Sequence, residues 1–200
     1  GSHPCERRRR SGAVGGQPIA IRALKRFVTD NVDPSRFKPA RKAAAGDPMP
    51  RVAVVGAGPA GLTAATTLSL LGYRVVVFEK EAVPGGMLLS GIPAYRLPRD
   101  VLKREIDALL DDRVELRCNA ALGSSLTVEG LLKEGFKAVF IATGAHKSRR
   151  LAVEGEDALG VLQAMAFLKA FNLSGEKLAK GRVGVVGGGN SAVDAARVAL

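Results

Sequence analysis

Arg51-Val-Ala-Val-Val-Gly56-Ala-Gly58-Pro59-Ala60-Gly61-Leu62-Thr-Ala-Ala65 decides the fold of this chain. A β-branched run leads into G-x-G-x-x-G and then into an alanine-rich helix. Gly56 permits the tight turn out of the strand, Gly58 lets a pyrophosphate approach the backbone, and Gly61 lets the helix pack close to the strand. Backbone N–H groups around Ala60 to Leu62 then face the phosphates. Tyr73 to Glu79 is the next strand. Glu79 lies 18 residues after Gly61, where a carboxylate can accept hydrogen bonds from ribose hydroxyls. The whole is a β-α-β unit of about 30 residues, the size a dinucleotide site demands.

A second turn repeats the pattern: Arg182-Val-Gly-Val-Val-Gly187-Gly-Gly189-Asn190-Ser191-Ala192-Val-Asp-Ala-Ala196. It predicts another strand from Arg182 and a helix from Asn190. Two such sites imply two dinucleotides, and two dinucleotides imply electrons passed from one to the other.

The chain has 200 residues, 46% of them apolar, enough for a packed core. Tryptophan is absent and aromatics are only 4%, so aliphatic side chains and alanine must fill the interior, as suits a parallel sheet covered by helices. No apolar run reaches the ~18 residues of a membrane span, and no secretory signal opens the chain. The two cysteines, Cys5 and Cys118, form neither a disulfide framework nor a C-x-x-C pair. A cytoplasmic, reducing compartment is expected. The net charge is +11. Residues 1–50 carry 11 Lys/Arg against 4 Asp/Glu, a balance of +7, and the remainder 19 against 15, a balance of +4. Arg7-Arg8-Arg9-Arg10 concentrates the excess. Without aromatic platforms or a recognition helix this run reads as a solvated end, and nucleic-acid binding is disfavoured.

Pro18 to Asp30 reads as an amphipathic helix, with Ile19, Leu24, Phe27 and Val28 on one face. Asn31 to Pro50, holding Pro34, Pro39, Pro48 and Pro50, reads as a linker. After the first unit comes a Gly/Pro-rich loop, Glu81 to Pro98. Helices are expected over Arg99 to about Asp111 and over Thr127 to Lys133, with Thr127 as N-cap. Val114 to Cys118 and Ala138 to Ala142 read as strands. Leu151 to Gly160 reads as a connector and Val161 to Asn172 as a helix.

The segments His3-Pro-Cys-Glu6, Pro18-Ile-Ala-Ile-Arg-Ala-Leu-Lys-Arg-Phe27, Val55-Gly-Ala-Gly-Pro-Ala-Gly61, Phe78-Glu-Lys80, Gly85-Gly-Met-Leu88, Gly91-Ile-Pro-Ala-Tyr-Arg-Leu-Pro98, Ala142-Thr-Gly144 and Gly187-Gly-Gly-Asn-Ser-Ala-Val-Asp-Ala-Ala-Arg197 together resemble one family. It is the small (beta) subunit of NADPH-dependent glutamate synthase with its relatives, including the N-terminal reductase part of dihydropyrimidine dehydrogenase. The resemblance implies an α/β fold: a Rossmann-like FAD-binding domain, the beginning of a second NAD(P)-binding Rossmann domain, and a short helical segment before them. Residues 1–50, 51–150 and 151–200 are the corresponding domains. FAD is implied at Gly56, Gly58, Pro59, Ala60, Gly61, Leu62, Glu79, Lys80, Gly85, Gly86, Met87, Leu88 and Arg96, with Thr143 and Gly144 beside them. NADPH, with NADH an alternative, is implied at Gly187, Gly189, Asn190, Ser191 and Ala192. Electrons would pass from NADPH through FAD to iron–sulfur clusters and on to a large amidotransferase-type or other electron-accepting subunit or domain.

The family's upstream cluster ligands follow a pattern like C-x-x-x-P-C-E-x-x-C. Here Cys5 fits the middle position, Arg9 stands at the later one, and the earlier would lie at or before Gly1. One cysteine cannot hold a cubane, which needs about four thiolates, so no cluster and no metal is expected in this chain. The family's flavin domain also resumes after its NADPH domain, so the chain reads as a fragment. Hydride transfer between nicotinamide and flavin needs no protein acid or base, and no catalytic side chain is assigned. His3 and His146 have no partners that would build a triad or a metal site. A disulfide reductase of the thioredoxin reductase kind is disfavoured by the missing C-x-x-C. A nucleotide-binding or basic interaction module without turnover is the reading from another class.

Overall fold

The computed structural model describes residues 14–15, 19–37, 42–43, 48–123 and 126–200. His3, Cys5, Arg7 to Arg10 and Pro18 lie outside the described residues. The chain divides into two units, Gly1–Pro39 and Ala40–Leu200. Residues 51–150 and 151–200, expected as separate domains, fall within the second unit.

In the first unit, helix α1 (Ile21–Asn31) follows the amphipathic reading, and Arg26 pairs with Asp30 one turn on at 2.6 Å. Ile19, Leu24, Phe27 and Val28 are exposed, and α1 has no buried residue. A short 3₁₀ turn, Pro34–Phe37, follows within the expected linker.

The second unit is built on β1 (Arg51–Val55), β2 (Arg74–Phe78), β3 (Val114–Arg117) and β4 (Ala138–Ile141). They form one sheet in the order β3-β2-β1-β4, every pair parallel. Helix α2 (Pro59–Leu70) connects β1 to β2. Helices α3 (Met87–Ser90) and α4 (Arg99–Leu109) lie between β2 and β3, and α5 (Val128–Lys133) between β3 and β4. Helices α6 (Ala164–Ser174) and α7 (Asn190–Ala199) follow.

The valine runs of β1 and β2 are buried on both faces, as parallel strands between helical layers must be. Because side chains alternate across a strand, Val54, Val75 and Val77 pack with Leu62 and Ala65 of α2 and Leu102 and Ile106 of α4. Ala53, Val55, Val76 and Phe78 meet Leu131 of α5 and Phe136 on the other face. Phe78 and Phe136 stack edge-on at 6.0 Å, and the Arg51 guanidinium covers the Phe136 ring at 4.2 Å. Burying four such valines fully is worth roughly 1.5–3 kcal/mol each. Thr127 caps α5 as expected, its Oγ1 accepting from the Gly130 amide at 3.0 Å.

Three expectations change. The loop after β2 contains α3, a single turn set between a glycine pair and Gly91. Helix α6 starts at Ala164 rather than Val161, because Gln163 is extended and its amide side chain is drawn back to Glu156 at 3.1 Å. No strand forms over 183–186: Val183, Val185 and Val186 are exposed and pair with none of the four strands. A strand exists only where a neighbour takes its backbone hydrogen bonds, and this valine run has none among the described residues.

Candidate functional site

The chain runs β1 to β2 to β3 toward one edge of the sheet, then crosses back to place β4 on the far side of β1. The direction therefore reverses between β1 and β4, and the crevice at the carboxyl ends of those strands is where open α/β sheets bind ligands. Gly56 sits there. Its φ is +110°, and a Cβ on it would lie 2.3 Å from the Ala142 carbonyl oxygen and 3.3 Å from the Thr143 nitrogen. Only glycine fits against the end of β4, where the Thr143 nitrogen stands beside the first turn and Gly144 follows it at φ +72°.

The turn opens α2 with Gly58 as N-cap and Pro59 as first helical residue, and no side chain caps the helix. Proline has no N–H to orphan. The Leu62 amide donates to Gly58 O at 3.0 Å. Of the three amides expected from sequence to face a phosphate, that of Leu62 is thus engaged within the helix, and those of Ala60 and Gly61 lie ahead of it in the first turn. Gly61 is pressed against the strand turn: a Cβ there would lie 1.8 Å from Gly56 O.

Glu79 closes the crevice from β2. It is 5% exposed. One carboxylate oxygen accepts from the Ala57 amide at 2.7 Å and the other from the Glu81 amide at 2.9 Å. A buried carboxylate must be held by donors, and these two fix its direction toward the glycine turn. Gly85 donates to Ala57 O at 2.8 Å, which folds the segment after β2 back over the turn. Gly86, at φ +53°, lies so close that a Cβ on it would be 2.7 Å from Gly58 Cα. Gly56, Gly58, Pro59, Ala60, Gly61, Glu79, Gly85 and Gly86 thus converge. Lys80 stays half exposed beside Glu81 at 3.9 Å.

Met87 lines a cleft of about 540 Å³ together with Ser90, His146, Lys147, Gln163 and Lys169. None of these last five was singled out from sequence as a binding residue. For Lys169 the signal was absent because it lies on α6, more than seventy residues beyond Met87 in sequence, and only folding brings α6 to α3. Lys169 reaches Glu81 at 2.5 Å and Asn172 donates to Ser90 O at 3.0 Å, holding α6 in place.

Arg96 does not reach the first turn. Its guanidinium pairs with Asp194 of α7 at 2.5 Å. The second turn repeats the first in its backbone: Gly187 has φ +117°, and Gly189 is the N-cap at φ −77°, ψ 172°, against −80°, −176° for Gly58. Val193 donates to Gly189 O as Leu62 does to Gly58 O. Asn190, Ser191 and Ala192 form the first turn of α7, uncapped by any side chain. Unlike the first, this turn is open: no atom stands within 4 Å of a Cβ built on Gly188 or Gly189.

Cys118 is half-buried and unpaired by any disulfide. Burial first, and the Glu79 charge second, push its thiol above the ordinary range. Among the described residues no three His, Cys, Asp or Glu side chains gather as a metal site, and no helix is long and apolar enough to cross a membrane.

Comparison with known proteins places this geometry. The chain is 42% identical over 221 residues to the NADP(+)-dependent formate dehydrogenase subunit beta of Moorella thermoacetica, an alignment covering 99% of this chain and 31% of that protein. It is 33% identical over 195 residues to a protein of Cereibacter sphaeroides described as a glutamate synthase (NADPH) small chain, covering 93% and 47%. The solved structure of Mycobacterium tuberculosis FprA in complex with NADPH superposes with a TM-score of 0.60 at 28% identity, over 74% of this chain and 35% of that one. The chain thus spans about a third to a half of the length of these relatives. The family profile of the pyridine nucleotide-disulphide oxidoreductases matches residues 50–200, and the chain belongs to that family.

Proposed function

We propose that the chain is the electron-input module of an NAD(P)H-dependent flavoprotein oxidoreductase, with FAD at the first turn and NADPH at the second. The observation that carries this reading is the buried Glu79 carboxylate, fixed 2.7 Å from the Ala57 amide beside a helix start that no side chain caps. The residues fit a dinucleotide. Gly58 and Gly86 leave a backbone-lined cradle that a Cβ would fill, and the uncapped amides of Ala60 and Gly61 are anion donors.

In this reading Ala60 and Gly61 hold the diphosphate and Glu79 the adenosine ribose. Gly85, Gly86, Met87 and Leu88 line the way to the cleft, with Lys80, Thr143 and Gly144 at its margins. Gly187, Gly189, Asn190, Ser191 and Ala192 take the second diphosphate. When bound, FAD supplies a hydride acceptor toward NADPH and a source of single electrons toward the next centre. The protein's part is to bind, orient and exclude water; no side chain needs to move a proton. Relatives described as NADP(+)- or NADPH-dependent support NADPH, and relatives described as NAD-dependent, 38% identical to this chain, support NADH as the alternative.

The electrons leave for iron–sulfur centres of a partner, of the large amidotransferase type if the assembly is glutamate synthase-like; the formate dehydrogenase relative supports a different acceptor on the same input module. The cytoplasm is the compartment where NADPH and such partners meet. A second reading, a nucleotide-binding or basic module without turnover, is favoured by one observation: the second turn has no strand behind it.

The test is anaerobic titration of the purified, FAD-loaded protein with NADPH. Bleaching of the flavin band supports the first reading. FAD binding without bleaching favours the second. A protein that takes up no FAD refutes the proposal.

A further inference from the structure

Asp194 lies on the second turn of α7, four residues past Asn190, and is 3% exposed. Its two oxygens are divided between two donors from the loop that follows α3. Tyr95 Oη donates to Oδ1 at 2.8 Å, and Arg96 donates to Oδ2 at 2.5 Å. Arg197, one turn further along α7, lies over the Tyr95 ring at 3.8 Å. The contacts span 98 and 99 residues of sequence. The same loop begins at α3, whose N-cap is Gly86, and Gly86 packs on Gly58 of the first turn. One continuous path of backbone contacts and charged hydrogen bonds therefore runs from the first nucleotide turn to the helix of the second.

We propose that Asp194 is a positioning residue that couples the two nucleotide-binding turns, so that filling the first orders the second. This rests on the assignment of a dinucleotide to each turn. A buried carboxylate that lost Arg96 would be left with one hydroxyl donor, which is strongly unfavourable. Arg96 therefore stays on Asp194, and anything that steadies the Gly85–Pro98 segment also steadies α7. The second turn is the one that gains, because it has no strand behind it and open space around Gly188 and Gly189. A first ligand that bears the ordering cost lowers it for the second, which is positive coupling.

Amide hydrogen exchange on the full chain, with and without FAD, tests this without turnover. In the wild type FAD slows exchange in residues 56–62, and it also slows residues 187–192 by at least about fivefold, the low end of allosteric coupling. In Asp194→Asn the protection at 56–62 remains and that at 187–192 disappears. A residue with a merely structural role would raise exchange at 187–192 equally with and without FAD, leaving the FAD effect intact, and that result overturns the inference. So does a wild type protected only at 56–62. Absence of protection at 56–62 in the wild type overturns the flavin assignment and this inference with it. Should Asp194→Asn fail to fold, Tyr95→Phe and Arg96→Gln replace it: each must reduce the FAD effect at 187–192, and wild-type behaviour in either overturns the proposal.

Discussion

Gly61→Ala adds one methyl group at the tightest point of the first turn. The new Cβ would lie 1.8 Å from Gly56 O, 3.0 Å from Gly56 C and 3.3 Å from Val54 Cγ1. To restore ordinary contact at 3.4 Å, helix and turn must separate by roughly 1.6 Å. The obstacle is backbone, and Gly56 is hemmed in by Ala142, so no side-chain rotation relieves it. Overpacking costs about 1–3 kcal/mol, and a backbone obstacle places this case near about 3 kcal/mol. Alanine regains about 1 kcal/mol of helix propensity over glycine. The net loss is about 2 kcal/mol, which at a urea slope of about 2 kcal/mol per M moves the unfolding midpoint down by about 1 M. The same shift carries the backbone amides of positions 60 and 61 away from a bound diphosphate. Losing part of two charge-assisted hydrogen bonds weakens FAD binding at least about tenfold, or about 1.4 kcal/mol. Urea melts and FAD fluorescence titrations measure the two effects. The second turn is the internal control, since Ala192 already occupies the equivalent position there, 3.6 Å from a Cβ built on Gly187. A Gly61→Ala protein with an unchanged midpoint and unchanged FAD affinity would refute the packing argument.

Glu79→Gln leaves either the Ala57 or the Glu81 amide facing an NH₂ group; a buried donor without its acceptor costs about 1–3 kcal/mol, so both stability and FAD affinity should fall, read by the same two assays. Gly86→Ala, with φ +53° and a Cβ 2.7 Å from Gly58 Cα, should weaken FAD at least about tenfold; unaltered affinity would show that the cradle is not the site. Cys118, its thiol raised first by burial and then by Glu79, should react with iodoacetamide at about pH 8 more slowly than a free thiol, and faster once Glu79→Gln removes the charge; peptide mass spectrometry reads the rate. The Tyr95 phenol is raised above 10.0, first by burial and then by its bond to Asp194. Its folded value exceeds the unfolded one, so its contribution is fully present below about pH 10 and is lost as pH rises through the raised value. Tyrosinate absorbance should show Tyr95 ionising late, and earlier in Asp194→Asn.

The β-α-β unit was legible from residues 51–79 because every requirement in it is local. A run of valines, a glycine with positive φ, a proline at the first helical position and a carboxylate at the next strand's end lie within 29 residues. The loop after β2 was legible only in part. Adjacent glycines permit a close backbone approach, but that Gly86 approaches Gly58 is shown only by the fold. The family resemblance implies Arg96 as an FAD residue; nothing nearby in sequence reveals that the buried Asp194 carboxylate takes it.

The two turns separate local determination from tertiary determination. Gly58 and Gly189 adopt nearly the same dihedrals, and both open helices without side-chain caps. One turn follows a paired strand and the other does not. The helix starts are thus properties of the amino acids themselves, since the bonds from Leu62 to Gly58 and from Val193 to Gly189 each span four residues and the positive φ of each turn belongs to a glycine. Whether a valine run becomes a strand, which base meets Asp194, and which side chains line the cleft beside Met87 were decided by the fold alone. Those contacts join groups far apart in sequence, up to 99 residues for Tyr95 and Asp194, and no short-range preference can specify a partner that only chain folding delivers.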